Sequence, residues 1–303
     1  MAACQEDSRN RASSAMSKPY TLSSNRCQMT SNFTFNLCRS TSSAAYITPK
    51  VDDLWIKIRE EALFEAKKEP LLAKYFCSTI LSHNSLESAL AKLLATKLSS
   101  PDLAADALYD VILTVFNRDD DVSSAVRSDL RAVKDRDPAC VSYIHCLLNF
   151  KGFLALESYR VAHSLWSSDR KTLSFILQSR VSEIFAVDIH PGARIGRGVM
   201  MDHATGVVIG ETAVVGNNVT MLHEVTLGGT GKVAGDRHPK IGDGVLIGAG
   251  SKVLGNVRVG DRAKIGAGSM VLKDVAAGTT VVGSPAKPVG KKCDNDHSLR
   301  IEM

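Results

Sequence analysis

The sequence predicts an α + β protein in two parts, an all-α helical block followed by a parallel β-helix built from hexapeptide repeats. Three observations carry this. Apolar residues recur with helical spacing between residues 51 and 187. From Ile195 the apolar period becomes six. The glycines are asymmetric, most of the 22 lying after residue 190. Composition excludes several other classes. Hydrophobic residues make up 44% of the 303, enough for a core and too many for a disordered chain. The formal charge of +5, about one net charge per sixty residues, is too dilute for nucleic-acid binding unless clustered. No apolar run approaches the length of a membrane-spanning helix, so no membrane partner is expected. Seven scattered cysteines without CxxC spacing argue against a disulfide framework and a cysteine zinc site, and no metal is expected.

Residues 1–50 hold ten serines, five threonines, six basic and two acidic residues, with no apolar signal core. They read as a disordered extension or an organelle transit peptide. A compartment in the cytosol, plastid or mitochondrion follows from which of the two they are.

Residues 51–187 form the helical domain. Val51–Lys68 is an amphipathic helix ended by Pro70, and Asn84 with Glu87 has capping-box spacing. Ser100-Pro101 and Asp137-Pro138 both read as an N-cap followed by the first helical residue. Cys140–Ser167 is one long apolar-faced run interrupted at Gly152, and Arg170–Phe185 is a further helix. Asp119-Asp120-Asp121 reads as a solvated loop.

Residues 188–283 form the coil. Ten hexads, starting at Ile195, Ile209 and Ile241, begin with Ile, Val or Met and carry a small residue or Val fifth. A triangular coil explains both positions. Each hexad makes one flat side, its first residue fills the lumen, and its fifth fits the corner. The frame slips twice, between Ile195 and Ile209 and between Leu227 and Ile241, each interval being slightly longer than two hexads. The second slip reads as a loop over 228–240 ejected from the coil, and ejected loops are where function concentrates. Residues 284–303 are a C-terminal tail.

Polar residues that a coil does not need cluster at the frame breaks: Asp188, His190, Asp202, His203, His223, Arg237 and His238. His203 is the candidate general base. Asp188, a little less than one coil turn earlier in the sequence, is a candidate carboxylate for its imidazolium. Arg237 and His238 can clamp a carboxylate, and Asp137, Asp202 and Glu211 can hold an ammonium. Together they describe a site for a small zwitterion bearing a hydroxyl. Gly229, in a glycine-rich stretch without P-loop spacing, is a hinge or a lining for an extended cofactor. Ala249 and Ala267, one coil turn of three hexads apart, leave backbone N–H groups open along one edge, with Lys264 near enough to meet a phosphate. From these residues alone an acyltransferase for another acceptor, a three-histidine zinc enzyme and a non-enzymatic scaffold stay open as alternatives.

The strings RDPAC (136–140), KGF (151–153), YRVAH (159–163), VDIHPGARIG (187–196), MDHATG with GETAV (201–214), VTLGGTGK (225–232) and GDRHPKIG (235–242) resemble serine acetyltransferase. The resemblance covers about 51–290 and implies a left-handed coil. It implies acetyl transfer from acetyl-CoA to the hydroxyl of L-serine, giving O-acetyl-L-serine for cysteine biosynthesis. By motif match His203 is the base and Asp188 its partner. Asp137, Asp202, Arg237 and His238 hold serine, and the coil edge with the ejected loop holds coenzyme A. The family forms homotrimers paired through their helical domains, with sites between neighbouring coils, and is inhibited by L-cysteine. Its terminal isoleucine docks into O-acetylserine (thiol) lyase. Here Ile301 is followed by Glu302 and Met303, so the resemblance does not carry that partner over.

Overall fold

The computed structural model describes residues 52–231 and 234–290. The N-terminal stretch, residues 232–233 and the tail from 291, including Ile301, lie outside the described residues. Among the described residues eight α-helices come first: α1 (Asp53–Lys68), α2 (Ala73–Phe76), α3 (Leu86–Leu98), α4 (Ala105–Arg118), α5 (Asp120–Arg136), α6 (Tyr143–Asn149), α7 (Lys151–Ser167) and α8 (Lys171–Phe185). None of them is long and apolar enough to cross a membrane.

The helix starts differ from expectation for identifiable reasons. Helix α3 is capped by Ser85, which shares a reciprocal box with Ser88, because Glu87 is drawn across to Arg127 at 2.6 Å. At both X-Pro pairs the proline sits second in a turn instead of opening a helix. Leu103 N–H donates back to Ser100 O, and Cys140 N–H to Asp137 O. Helix α4 therefore starts at Ala105 and α6 at Tyr143, under Ser142. Asp137 instead ends α5, its side chain accepting from Ala139 N–H. Asp119 is not in a solvated loop but caps α5, and Asp120 and Asp121 occupy its positive first turn. The run 140–167 is two helices broken at Phe150. Gly152 lies inside α7, where a Cβ would fall 2.1 Å from Met201 O. Glycine thus lets α7 lie directly on the coil backbone.

The coil strands are β1 (Val187–Ile189), β2 (Arg194–Ile195), β3 (Met200–Met201), β4 (Val207–Ile209), β5 (Val214–Val215), β6 (Thr220–Met221), β7 (Thr226–Gly228), β8 (Lys240–Ile241), β9 (Leu246–Ile247), β10 (Lys252–Leu254), β11 (Arg258–Val259), β12 (Lys264–Ile265), β13 (Met270–Val271), β14 (Thr280–Val282) and β15 (Lys287–Val289). They stack into three parallel sheets, the sides of a triangular β-helix. The first side is β1-β4-β7-β10-β13, the second β2-β5-β8-β11, and the third β3-β6-β9-β12-β14. The antiparallel strand β15 covers the end of the third side. Hexad-first residues such as Ile209, Met221, Leu227, Ile247 and Val253 are buried in the lumen. Fifth positions such as Ala213, Val225, Ser251 and Ala263 are buried at the corners.

The two frame slips, equal in length, are unequal in structure. Ile209 pairs with Leu227, an ordinary turn of three hexads. Ile195 pairs with Val215, a turn only slightly longer, and the extra length sits in the corner 202–206. Val215 pairs with Ile241, a turn longer than three hexads by more than one further hexad. The second slip therefore gathers its surplus into one ejected corner between β7 and β8.

The helical block covers the first turn. Tyr159 donates to Ala193 O at 2.6 Å and Arg160 to Gly196 O at 2.7 Å. Asp129 accepts from Arg160 and from Val199 N–H of the coil (2.7 Å). Glu157 is fully buried beside this pair, 3.5 Å from Arg160 Nε, and among the described residues neither of its oxygens has a hydrogen-bond partner. Burial, reinforced by Asp129, pushes its carboxyl well above the usual range.

Candidate active site

The expected site residues fall on two edges of the coil, at opposite ends of its first side. The edge joining the third side to the first carries His203. The short insertion there puts His203 and Ala204 in the left-handed region (φ 55° and 57°), a conformation non-glycine residues adopt at a cost. Ala204 is buried as the pivot, and the His203 side chain is 74% exposed. Asp202 Oδ1 lies 3.8 Å from His203 Nε2, the nearest carboxylate among the described ion pairs. The His223 ring, one turn on, lies 5.8 Å from the His203 ring, and among the described residues its buried Nδ1 has no partner. Backbone bonds from Glu224 N to Thr205 O, Gly250 N to His223 O and Gly268 N to Ala249 O stack these corners into a ladder. Ala249 and Ala267 therefore stand on the same edge as His203. Lys264 is exposed on β12 of the third side, just before Ala267.

Asp137 stands at the end of α5, outside the coil. Its neighbour Arg136 donates to Asn218 O (3.2 Å) and Thr220 Oγ1 (3.1 Å), which ties the end of α5 to β6, the strand leading into His223.

The edge joining the first side to the second carries Arg237 and His238, the expected clamp. Arg237 Nη2 donates to Glu211 at 2.8 Å, and this bond pulls the Glu211 carboxyl below its usual range. Thr212 Oγ1 accepts from the backbone N–H of both Arg237 (3.0 Å) and His238 (3.1 Å). His238 Nδ1 accepts from Thr212 N–H at 3.1 Å. That bond leaves the ring proton on Nε2. Burial, then the Arg237 charge, lowers the His238 pKa and so favours the neutral ring. Gly210 makes room for this ring, since a Cβ there would lie 2.1 Å from it. Gly229 sits beside Arg237. A groove of about 330 Å³ lined by Trp166, Arg194, Glu211, Thr212 and Asp236 opens next to the clamp. His190 sits beside it, edge-on to the touching rings of Trp166 and Phe175, its pKa lowered by burial.

Asp188 lies between the two edges. Val187 and Ile189 point into the lumen, so Asp188, at the centre of β1, points out of the first side. Its Oδ1 accepts from Gln178 Nε2 of α8 at 2.7 Å. Within one chain the structure thus groups Asp202, His203, His223, Ala249 and Ala267, and separately Glu211, Gly229, Arg237 and His238. It does not bring the two groups together. Sequence reasoning missed Gly210, Thr212 and Gln178. The first two occupy ordinary hexad positions, and the third is one polar residue on an amphipathic helix.

Comparison with known proteins bears on both halves of the chain. Residues 54–158 match the serine acetyltransferase N-terminal domain family, and residues 238–273 match the bacterial transferase hexapeptide (six repeats) family. A chloroplastic serine acetyltransferase 1 of Arabidopsis thaliana is 59% identical over 80% of this chain and 77% of its own length. The structure of soybean serine acetyltransferase complexed with serine superposes with a TM-score of 0.77 at 60% identity, covering 78% of this chain and 97% of that one. A serine acetyltransferase of Brucella abortus strain S19 in complex with coenzyme A gives 0.78 at 48% identity, over 81% and 98%. Helical block, coil and the corners between them are therefore shared with one set of enzymes, and the chain belongs to the serine acetyltransferase family.

Proposed function

We propose that the chain acetylates the hydroxyl of L-serine from acetyl-CoA with His203 as general base, and that two copies of the chain complete each site. The separation of the two edges carries this reading. The strand β4 and its flanks put roughly 15–20 Å between them at the ~3.3 Å rise of a strand. One serine cannot reach from the His203 edge to the Arg237 edge of the same coil. It can do so where the His203 edge of one copy meets the clamp of the next, an arrangement a three-fold ring provides.

In that site Arg237 and His238 Nε2–H hold the serine carboxylate, and Asp137 and Asp202 hold its ammonium. Glu211 fixes the Arg237 fork. His203 takes the hydroxyl proton as the serine oxygen attacks the thioester carbonyl. The new C–O bond forms, the negative charge gathers on the carbonyl oxygen, and the C–S bond then breaks. His203 returns the proton to the coenzyme A sulfur, giving the free thiol and O-acetyl-L-serine. His223, whose ring lies 5.8 Å from the His203 ring, donates to that oxyanion. Asp188 and Asp202 stabilise the imidazolium. Coenzyme A lies along the ladder of Ala249 and Ala267, where small side chains expose backbone amides, with Lys264 toward its phosphates and Gly229 of the neighbouring loop over it.

Cysteine has the same ammonium and carboxylate as serine, so the same clamp makes it a competitive inhibitor. Exposed Phe64 of α1, Tyr75 of α2, and Leu71 and Leu72 in the turn between them give trimers a second, apolar surface through which to pair. The serine-rich, acid-poor residues 1–50 have the composition of an import segment, as suits a likeness to a chloroplastic enzyme.

Thiol release from acetyl-CoA with L-serine, and with D-glucosamine as the alternative acceptor, tests the reading. Release is expected with serine only. Arg237→Ala is expected to raise the serine KM about 10–100-fold, the worth of a hydrogen-bonded charge pair, while the acetyl-CoA KM changes little. An unchanged serine KM, or acetylation of glucosamine, contradicts it.

A further inference from the structure

We propose that Gln178 is a positioning residue that sets the carboxylate of Asp188 for the base. The inference rests on the reading of Asp188 as a partner of His203. Its observation is the 2.7 Å bond from the Gln178 side-chain amide to Asp188 Oδ1. Among the described hydrogen bonds Oδ2 takes none, which leaves that oxygen to the imidazolium.

The bond joins two rigid elements. Asp188 cannot rotate with its strand, because Val187 and Ile189 lock β1 into the lumen on either side. Gln178 is held as firmly. Ser174 Oγ donates to Ala162 O at 2.7 Å one turn before it. Arg180 donates to Leu98 O (3.0 Å) and Ser99 O (2.9 Å) just after it. Leu177 and Val181 are buried in the core between these anchors. An amide mounted so is a fixed donor, and fixed outer partners are what orient a functional carboxylate.

The residue type matters as much as the place. The wall that Asp188 shares with α8 also holds Phe175, Ser179, Ser182 and Glu183. Arg180 is ion-paired with Glu183 and so is not free to bond Asp188. His190 follows closely on the same stretch of chain. A lysine or arginine at 178 would neutralise Asp188 and cancel the attraction the imidazolium needs. Glutamine orients one oxygen and leaves the full charge in place, as the buried carboxylate of a catalytic triad requires.

The test is a double-mutant cycle read in steady-state kinetics. Gln178→Leu keeps the helix and the packing volume and removes the donor. It is expected to lower kcat about tenfold, within the range for loss of an outer hydrogen bond, with both KM values within about twofold. Asp188→Asn alone is expected to lower kcat further. In the Asp188→Asn background Gln178→Leu is expected to add nothing. If Asp188→Asn lowers kcat and Gln178→Leu does not, the positioning role is wrong and the site reading stands. If Gln178→Leu costs as much with Asp188→Asn as without it, Gln178 does not act through Asp188 and the proposal is overturned. If Asp188→Asn leaves kcat unchanged, the reading beneath the proposal fails as well.

Discussion

Replacing His203 by alanine is expected to lower kcat about 10²–10⁴-fold, the usual contribution of a positioned general base, without unfolding the chain. The side chain is mostly exposed, and apart from the 3.8 Å approach of Asp202 it ties no two elements together. The corner is held instead by backbone bonds, Asp202 N–H to Met221 O and Glu224 N–H to Thr205 O, and by buried Ala204. These survive the substitution. The loss should therefore appear in kcat, with the serine and acetyl-CoA KM values nearly unchanged and the circular dichroism spectrum intact. Activity within a few-fold of the parent would mean that another group takes the proton.

The second large effect concerns stability. Asp129→Ala is expected to destabilise the chain by about 3–5 kcal/mol, because it leaves the buried Arg160 without its principal counter-charge. It also removes the acceptor of Val199 N–H, which links helix α5 to the first coil turn. Denaturant unfolding measures it, and a change below about 1 kcal/mol, the worth of a single ordinary hydrogen bond, would show that the pair is dispensable. Glu157, in the same cluster, gives the effect its pH dependence. Its folded pKa is raised, so the folded chain holds a proton that the unfolded chain releases. Stability is then fully present below the ordinary glutamate value of about 4.3 and is lost as pH rises from there toward the raised folded value. Glu157→Gln mimics the protonated form and is expected to flatten that loss.

How legible the fold was in the sequence depends on how many residue types each position tolerates. A lumen position accepts only aliphatic side chains, so Ile209, Leu227, Ile241 and Val253 announce the coil unaided. A helix start accepts several solutions. Ser85 and Asn84 both suit an N-cap, and only the pull of Arg127 on Glu87 decides between them. Pro101 and Pro138 each fit a first helical turn as well as a β-turn, and the backbone bonds across Ser100–Leu103 and Asp137–Cys140 select the turn. The frame slips show that something interrupts the coil. An interval such as Ile195 to Ile209 or Leu227 to Ile241 can equally be a tight corner plus one side or a single long loop.

The site was legible where the chemistry is unusual for a coil and illegible where it is ordinary. His203, Arg237 and His238 stand out because no lumen or corner needs them. Thr212 and Gly210, which hold the clamp together, look like scaffold because a hexad admits both. That the candidate residues fall on two edges was invisible to spacing, since it depends on which corner each slip enters.

The most direct measurement is subunit mixing. His203→Ala and Arg237→Ala chains, each nearly inactive alone at low serine, are unfolded together, refolded at equal ratio and assayed for serine-dependent thiol release. If each site takes its base from one copy and its clamp from the next, about one site in four in a random trimer has both, by the geometry of a three-fold ring. The account predicts recovery of about a quarter of the parental activity. A mixture no more active than its components would contradict it, placing base and clamp in the same chain.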